Sequence, residues 1–214
     1  MPASKVTPTK DAGPDIAGVI LTGGRSRRMG GGIKAFAPLS GKPLIRYVID
    51  CLHPQVQSLV LSVEKYSSDF DAFGLAQVED PSPGSCGPLG GLLSALANMD
   101  AGCDWMLLTP CDAPFLPRDL AVRLLNCAIE EGQRACAVRY EAEVQPTFSL
   151  WHRDLLPRLE HAVLAEGMAG FKQFMRCTPV ALLDWESSER SPFFNINDPG
   201  ALIRARRLLE QAPL

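Results

Sequence analysis

The stretch from Ala17 to Lys34 reads AGVILTGGRSRRMGGGIK, and its two parts differ in character. The first is an apolar run that ends at Leu21 and is typical of a buried strand. The second combines glycines with the cations Arg25, Arg27, Arg28 and Lys34. No Asp or Glu occurs between Ala17 and Ile49. Glycines let backbone N–H groups approach phosphates, and cations offset phosphate charge, so the stretch predicts a strand followed by a triphosphate-binding loop.

This loop differs from two common nucleotide-binding motifs. A P-loop requires G-x-x-x-x-G-K-[ST], whereas the segment Gly24–Gly30 is followed by Gly31. The pattern G-x-G-x-x-G is also absent, which disfavours a dinucleotide cofactor. An ordinary strand–helix turn with solvated arginines is the alternative interpretation. The long run without acidic residues favours the phosphate-binding one.

The composition limits the classes of protein to which this chain can belong. The chain has 214 residues, of which 46 % are hydrophobic and 21 % charged, with a net charge of −3. These values predict a packed globular protein that binds neither nucleic acid nor a membrane surface. Seven cysteines without a C-x-x-C pair indicate reduced thiols and a cytoplasmic location. Residues 1–15 lack an apolar segment and are predicted to form a disordered tail, with a single domain over residues 16–214.

Strand-like and helix-like segments alternate along the chain. The predicted strands cover residues 16–21, 56–63, 75–78, 105–108, 135–138, 147–150, 180–183 and 193–196. The predicted helices cover residues 43–52, 88–98, 117–129, 154–164, 171–174 and 199–209. This alternation predicts an α/β fold with a Rossmann-like, doubly wound, mostly parallel sheet and helices on both faces. Such sheets bind ligands at the carboxyl ends of their strands.

Several polar residues lie where these strands end. Asp112 follows the strand at 105–108 and is the best candidate for a Mg²⁺ ligand, since Mg²⁺ needs only one or two carboxylates besides water and substrate phosphates. Asp80 follows the third strand in the same way. For both, a plain turn aspartate is the alternative. Asn195 and Asn197 are two residues apart, so on a strand both would point to one face and toward a ligand; as surface turn residues they would be unremarkable.

Five motifs, taken in order, resemble those of the molybdenum cofactor guanylyltransferases. They are LTGGRSRRMGGGIK (21–34), SGKPLI (40–45), GPLGGL (87–92), PCDAPFL (110–116) and NINDP (195–199). The resemblance extends over about residues 18–209. The Gly23-Gly24 pair favours the guanylyl branch over the cytidylyl relative, which more often has Ala-Gly at this place.

The resemblance implies roles for residues at matching positions. The nucleotide-binding set is Leu21, Thr22, Gly23, Gly24, Lys34, Ser62, Asp80 and Asp112. The catalytic set is Arg28, Lys34 and Asp112, and Asp112 is also the implied Mg²⁺ ligand. Asn195 and Asn197 are candidates for binding the acceptor. Two positions depart from the family pattern, because Ser62 stands where Asn is frequent and Ile33 replaces an acidic residue.

The reaction implied by the resemblance is transfer of GMP from GTP to molybdopterin with release of pyrophosphate. Its cofactor would be Mg²⁺, and proteins that handle the molybdenum cofactor are further candidate partners. Because the attacking phosphate is already ionised, no general base is required. The alternatives are a related nucleotidyltransferase that uses CTP with molybdopterin or another phosphorylated acceptor, and a non-catalytic GTP-binding module of the same fold.

Overall fold

A central sheet organises the computed structural model, which describes residues 15–23, 33–81, 87–188 and 190–211. The strands are β1 (Ile16–Leu21), β2 (Pro38–Leu39), β3 (Lys42–Pro43), β4 (Ser58–Val63), β5 (Ala76–Glu79), β6 (Trp105–Pro110), β7 (Ala135–Tyr140), β8 (Glu143–His152) and β9 (Ala181–Trp185). Seven of them form one sheet in the order β5-β4-β1-β6-β8-β7-β9, while β2 and β3 pair separately. Positions 1–14 of the predicted tail lie outside the described residues.

The sheet is mostly parallel, as predicted. β1 runs parallel to β4 and β6, β5 is parallel to β4, and β9 is parallel to β7. Within the seven-stranded sheet, β8 is the only described strand that runs antiparallel to its neighbours, β6 and β7, while the separate pair β2 and β3 is also antiparallel. The direction of β8 follows from the two-residue turn before it, where Glu141 and Ala142 have φ values of 50° and 65°. A connection this short makes a hairpin and cannot form a parallel crossover.

Six α-helices occur in the part of the chain that the structure describes. They are α1 (Leu44–Leu52), α2 (Gly87–Ala97), α3 (Leu120–Glu130), α4 (Leu156–Glu160), α5 (Phe171–Cys177) and α6 (Pro199–Gln211). Apolar residues of α1 and α3 belong to the core on one face of the sheet, and those of α2, α4 and α5 to the core on the other. Helices therefore cover both faces, which confirms the doubly wound arrangement. None of the described helices is long and apolar enough to cross a membrane.

Strand β1 is buried along its whole length because both of its faces are covered. Ile16 and Ile20 pack into one core, while Val19 and Leu21 pack into the other. This explains why β1 reads as a continuous apolar run. At Gly18 a Cβ would lie 2.7 Å from Leu59 Cδ1, so a larger residue would require the Leu59 side chain to move.

The strand predicted at 193–196 is wrong, because this segment is irregular. Its backbone bonds to other loops rather than to the sheet, and Ile196 N donates to the carbonyl oxygen of Asp112 (3.0 Å). The start predicted for the last helix is confirmed. Asp198 Oδ1 accepts a hydrogen bond from Ala201 N (2.8 Å) and caps α6.

Candidate functional site

A cavity of about 370 Å³ opens at the edge of the sheet where the parallel strands β1, β4 and β5 end. It is lined by Leu21, Gly23, Ser62, Glu64, Asp80, Gly87, Pro88 and Gly91. The residues Leu21, Gly23, Ser62 and Asp80 in this lining are ones that the sequence assigned to nucleotide binding. Gly24 and Arg28, which the sequence assigned to the same site, lie outside the described residues.

A chain of hydrogen bonds joins the ends of β1, β4 and β5. The backbone N–H and the hydroxyl of Thr22 both donate to the carbonyl oxygen of Ser62, at 3.0 and 2.7 Å. Ser62 Oγ donates to Asp80 Oδ1 (3.4 Å), and Asp80 N donates to Val63 O (2.9 Å). Burial raises the pKa of the Asp80 carboxyl, an effect that the Ser62 hydrogen bond opposes and the charge of Glu64 increases. The buried Thr22 side chain therefore holds the end of β1 to the end of β4, while Asp80 lines the cavity.

Helix α2 approaches this edge closely because Gly91 has no side chain. A Cβ at Gly91 would lie 2.3 Å from Ser62 Oγ and 2.8 Å from Leu21 Cδ2. No real Cβ contact is this short, so a larger residue would require Ser62 Oγ and Leu21 Cδ2 to rotate away or α2 to shift. The first residue of α2, Gly87, has a φ of 53°, which favours glycine.

We expect Gly91→Ala to weaken GTP binding and to destabilise the fold by about 1–3 kcal/mol, because overpacking at this contact displaces α2 or the side chains against it. Denaturant unfolding and calorimetric titration with GTP measure the two effects. Gly102→Ala is the matched control, since a Cβ there meets nothing within 4 Å. Equal stability and equal GTP affinity in both variants would contradict the importance of this contact.

Next to the cavity, Lys34 and Asp112 meet across 78 positions of sequence. The Asp112 side chain is 7 % exposed and that of Lys34 is 14 % exposed. The Lys34 ammonium contacts Asp112 Oδ2 and donates to Asn197 Oδ1 (2.5 Å). Burial raises the pKa of the Asp112 carboxyl, although the Lys34 charge and hydrogen bond lower it in part. Lys34 begins a short 3₁₀ turn that buried Ala35 anchors in the core.

The segment that carries both predicted asparagines contacts Asp112 through its backbone, although it is not a strand. The backbone bond from Ile196 N to Asp112 O places Asn195 and Asn197 on either side of that contact. Asn197 bonds Lys34, whereas Asn195 Oδ1 is buried and has no hydrogen-bond partner among the described residues. An unsatisfied buried oxygen of this kind is costly unless a ligand or water binds it.

These oxygen donors fit a divalent cation that completes its coordination with water and substrate. The Asp112 carboxylate and the side-chain oxygens of Asn195 and Asn197 are the hard ligands that Mg²⁺ and Mn²⁺ accept. No three His, Cys, Asp or Glu side chains cluster to hold a metal within the described ranges. A cation here would therefore rely on phosphate oxygens for much of its shell.

A larger cavity of about 700 Å³ lies elsewhere, between α1, α6 and the segment that follows Asp112. Two of its cations are engaged by neighbouring side chains. Lys42 bonds Asp50 (2.5 Å), and Arg190 lies 5.2 Å from the centre of the Phe115 ring. We place the functional site at the smaller cavity because that one adjoins the ends of β1 and β4 and the residues that the sequence singled out.

Glu64 lines the cavity directly after β4 but was not among the residues predicted at the site. In a sequence, a single glutamate after a short strand is usually interpreted as a solvated surface residue. Its position at the carboxyl end of a parallel strand, the property that singled out Asp80 and Asp112, is the signal that would have found it.

Comparison with known proteins identifies the family. Residues 18–182 match the family described as the MobA-like NTP transferase domain. The chain belongs to the MobA-like NTP transferases. The molybdenum cofactor guanylyltransferase of Nitrobacter hamburgensis is 37 % identical to this NTP transferase over 199 residues, which cover 91 % of this chain and 95 % of the relative. The family resemblance inferred from the motifs is thus confirmed.

Solved structures share the fold of this NTP transferase. The molybdopterin-guanine dinucleotide biosynthesis protein A of Archaeoglobus fulgidus has a TM-score of 0.76 at 22 % identity, over 91 % of this chain and 99 % of its own. A Mycobacterium tuberculosis protein solved in complex with manganese has a TM-score of 0.65 at 16 % identity, over 92 % of this chain and 100 % of its own. At these identities the likeness concerns the fold.

Proposed function

We infer that this NTP transferase transfers GMP from GTP to molybdopterin and releases pyrophosphate. The observation that carries this inference is the contact of Lys34 with Asp112 and Asn197, next to a cavity at the ends of β1, β4 and β5. The name and the 37 % identity of the Nitrobacter relative support the choice of GTP and molybdopterin.

In the proposed reaction, an oxygen of the molybdopterin phosphate attacks the α-phosphorus of GTP. A new P–O bond forms as the bond to the β-phosphate breaks, and pyrophosphate leaves with the electron pair. Two polyanions must approach each other, so positioning and charge compensation dominate the barrier. The Lys34 ammonium supplies one positive charge at this edge, and Arg28 is proposed to supply another.

The proposed cofactor is a divalent cation, with Mg²⁺ as the specific proposal. Asp112 would hold it, with the amide oxygens of Asn195 and Asn197 as further donors, and the bound ion would polarise the α-phosphate. We propose that Asn195 and Asn197 also bind the acceptor, because the unpaired Asn195 oxygen needs a donor or a cation. Leu21, Gly23, Ser62 and Asp80 would line the nucleoside site.

The test is pyrophosphate release with GTP, CTP and ATP, each with and without molybdopterin. We expect release that requires molybdopterin and is faster with GTP than with CTP by at least about tenfold, which corresponds to about 1.4 kcal/mol. A preference for CTP would assign the chain to cytidylyl transfer. Tight GTP binding without any release would instead indicate a non-catalytic module.

A further inference from the structure

The carboxyl edge of the sheet differs in charge on the two sides of β1, with carboxylates on one side that have no ion-pair partner among the described residues and an ion pair on the other. Glu64 and Asp80 follow β4 and β5 on one side, whereas Lys34 lies against Asp112 after β6 on the other. Since neighbouring strands are about 4.8 Å apart, the ends of β4 and β6 are separated by roughly 10 Å. A triphosphate is repelled by Glu64 and Asp80, whereas on the other side the charge of Lys34 offsets the repulsion by Asp112. If the proposed function holds, GTP binds with its phosphates toward β6 and its base toward β4 and β5.

The base must then be recognised by acceptors in the cavity. Guanine presents two neighbouring donors, N1–H and N2–H₂, and an ionised carboxylate can accept one hydrogen bond with each of its oxygens. Adenine and cytosine present a ring nitrogen acceptor where guanine has N1–H. A free carboxylate therefore attracts guanine and repels the other two bases.

Three described side chains in the cavity offer oxygen acceptors, and two of them are joined to each other. Ser62 Oγ bonds Asp80 Oδ1 (3.4 Å), and Ser62 also lies directly against Gly91. The Asp80 carboxylate is half-buried against this serine. Glu64 is exposed at the cavity and makes no hydrogen bond or ion pair with any other described residue.

We propose that Glu64 determines specificity for guanine, its carboxylate accepting hydrogen bonds from N1–H and N2–H₂ of the base. Asp80 and Ser62 then shape the cavity wall beside it. The proposal rests on the proposed function for the choice of GTP. It identifies the residue that recognises the guanine base.

Inosine triphosphate (ITP) tests this proposal, because it keeps N1–H and lacks the N2 amino group. We expect the full chain to bind GTP about 10- to 100-fold more tightly than ITP, the worth of one hydrogen bond to a charged group. Glu64→Ala and Glu64→Gln should bring the two dissociation constants to within about 3-fold of each other, mainly through weaker GTP binding. Isothermal titration without acceptor measures both constants.

Two variants serve as controls. Asp80→Asn should change GTP and ITP binding by the same factor and keep their ratio. Glu79→Gln makes the same chemical change on an exposed residue outside the cavity and should alter neither constant. Circular dichroism confirms that each variant is folded.

Three results would overturn the assignment of Glu64. They are an unchanged GTP-to-ITP ratio in both Glu64 variants, a ratio lost in Asp80→Asn instead, and equal binding of GTP and ITP by the parent chain. Failure of the proposed function is recognised separately, as absence of pyrophosphate release from a chain that still distinguishes GTP from ITP.

Discussion

Asp112→Asn is expected to lower the rate of GMP transfer by about 10²–10³-fold, the typical cost of removing one preorganised charged group from a site of this kind. The asparagine keeps the shape of a side chain that is 7 % exposed, so the substitution removes charge with little change in packing. It also leaves the Lys34 ammonium without its carboxylate partner. The loss should appear mainly in kcat, because the carboxylate is proposed to act on the reacting phosphates and not on the base.

Steady-state kinetics of pyrophosphate release, with a thermal melt of each variant, measure this effect. The chain offers a matched control in Asp50→Asn, since Asp50 bonds Lys42 (2.5 Å) but is half-exposed and away from the site. That variant should retain activity, because exposed ion pairs contribute little. Transfer at a near-normal rate by folded Asp112→Asn would remove Asp112 from the mechanism.

Lys34→Met should reduce transfer by a similar factor of about 10²–10³. Methionine matches much of the length of the lysine side chain but supplies no charge, so phosphate repulsion is no longer offset at this position. The variant also leaves Asp112 buried without its ammonium partner, and some loss of stability is expected. The GTP-to-ITP binding ratio should stay unchanged, because Lys34 lies on the side of β1 where the phosphates are proposed to bind.

The comparison variants for this residue are Lys42→Met and Lys34→Arg. Lys42→Met removes the ammonium of the exposed pair with Asp50 and should leave the rate unchanged. Lys34→Arg keeps the charge and should recover part of the rate. If Lys34→Met and Lys42→Met had the same turnover in folded proteins, Lys34 would have no role in catalysis.

Most of the fold could be predicted because its signals are local. The apolar run of β1, the apolar face of α1 and the Asp198 cap of α6 each depend on residues close in sequence. The β7–β8 hairpin was missed because Glu141 and Ala142 occupy the left-handed turn where Gly or Asn is usual. The segment 193–196 is short and mostly apolar like a strand, but Ile196 N donates to Asp112 O and not to a strand of the sheet.

Several residues of the candidate site could be predicted from the sequence, but the contacts between them could not. Asp80 and Asp112 stood out because each follows a strand of a parallel sheet. The pairing of Lys34 with Asp112 joins distant segments, and no local pattern encodes it. Glu64 could not be separated from an ordinary surface glutamate until the cavity was seen to include it.

The contact between Lys34 and Asp112 also affects the stability of the protein when no substrate or metal is bound. A carboxylate this deeply buried normally needs a compensating positive charge, and here the polypeptide supplies that counterion itself. We therefore expect the protein to stay folded when no metal ion is bound at Asp112.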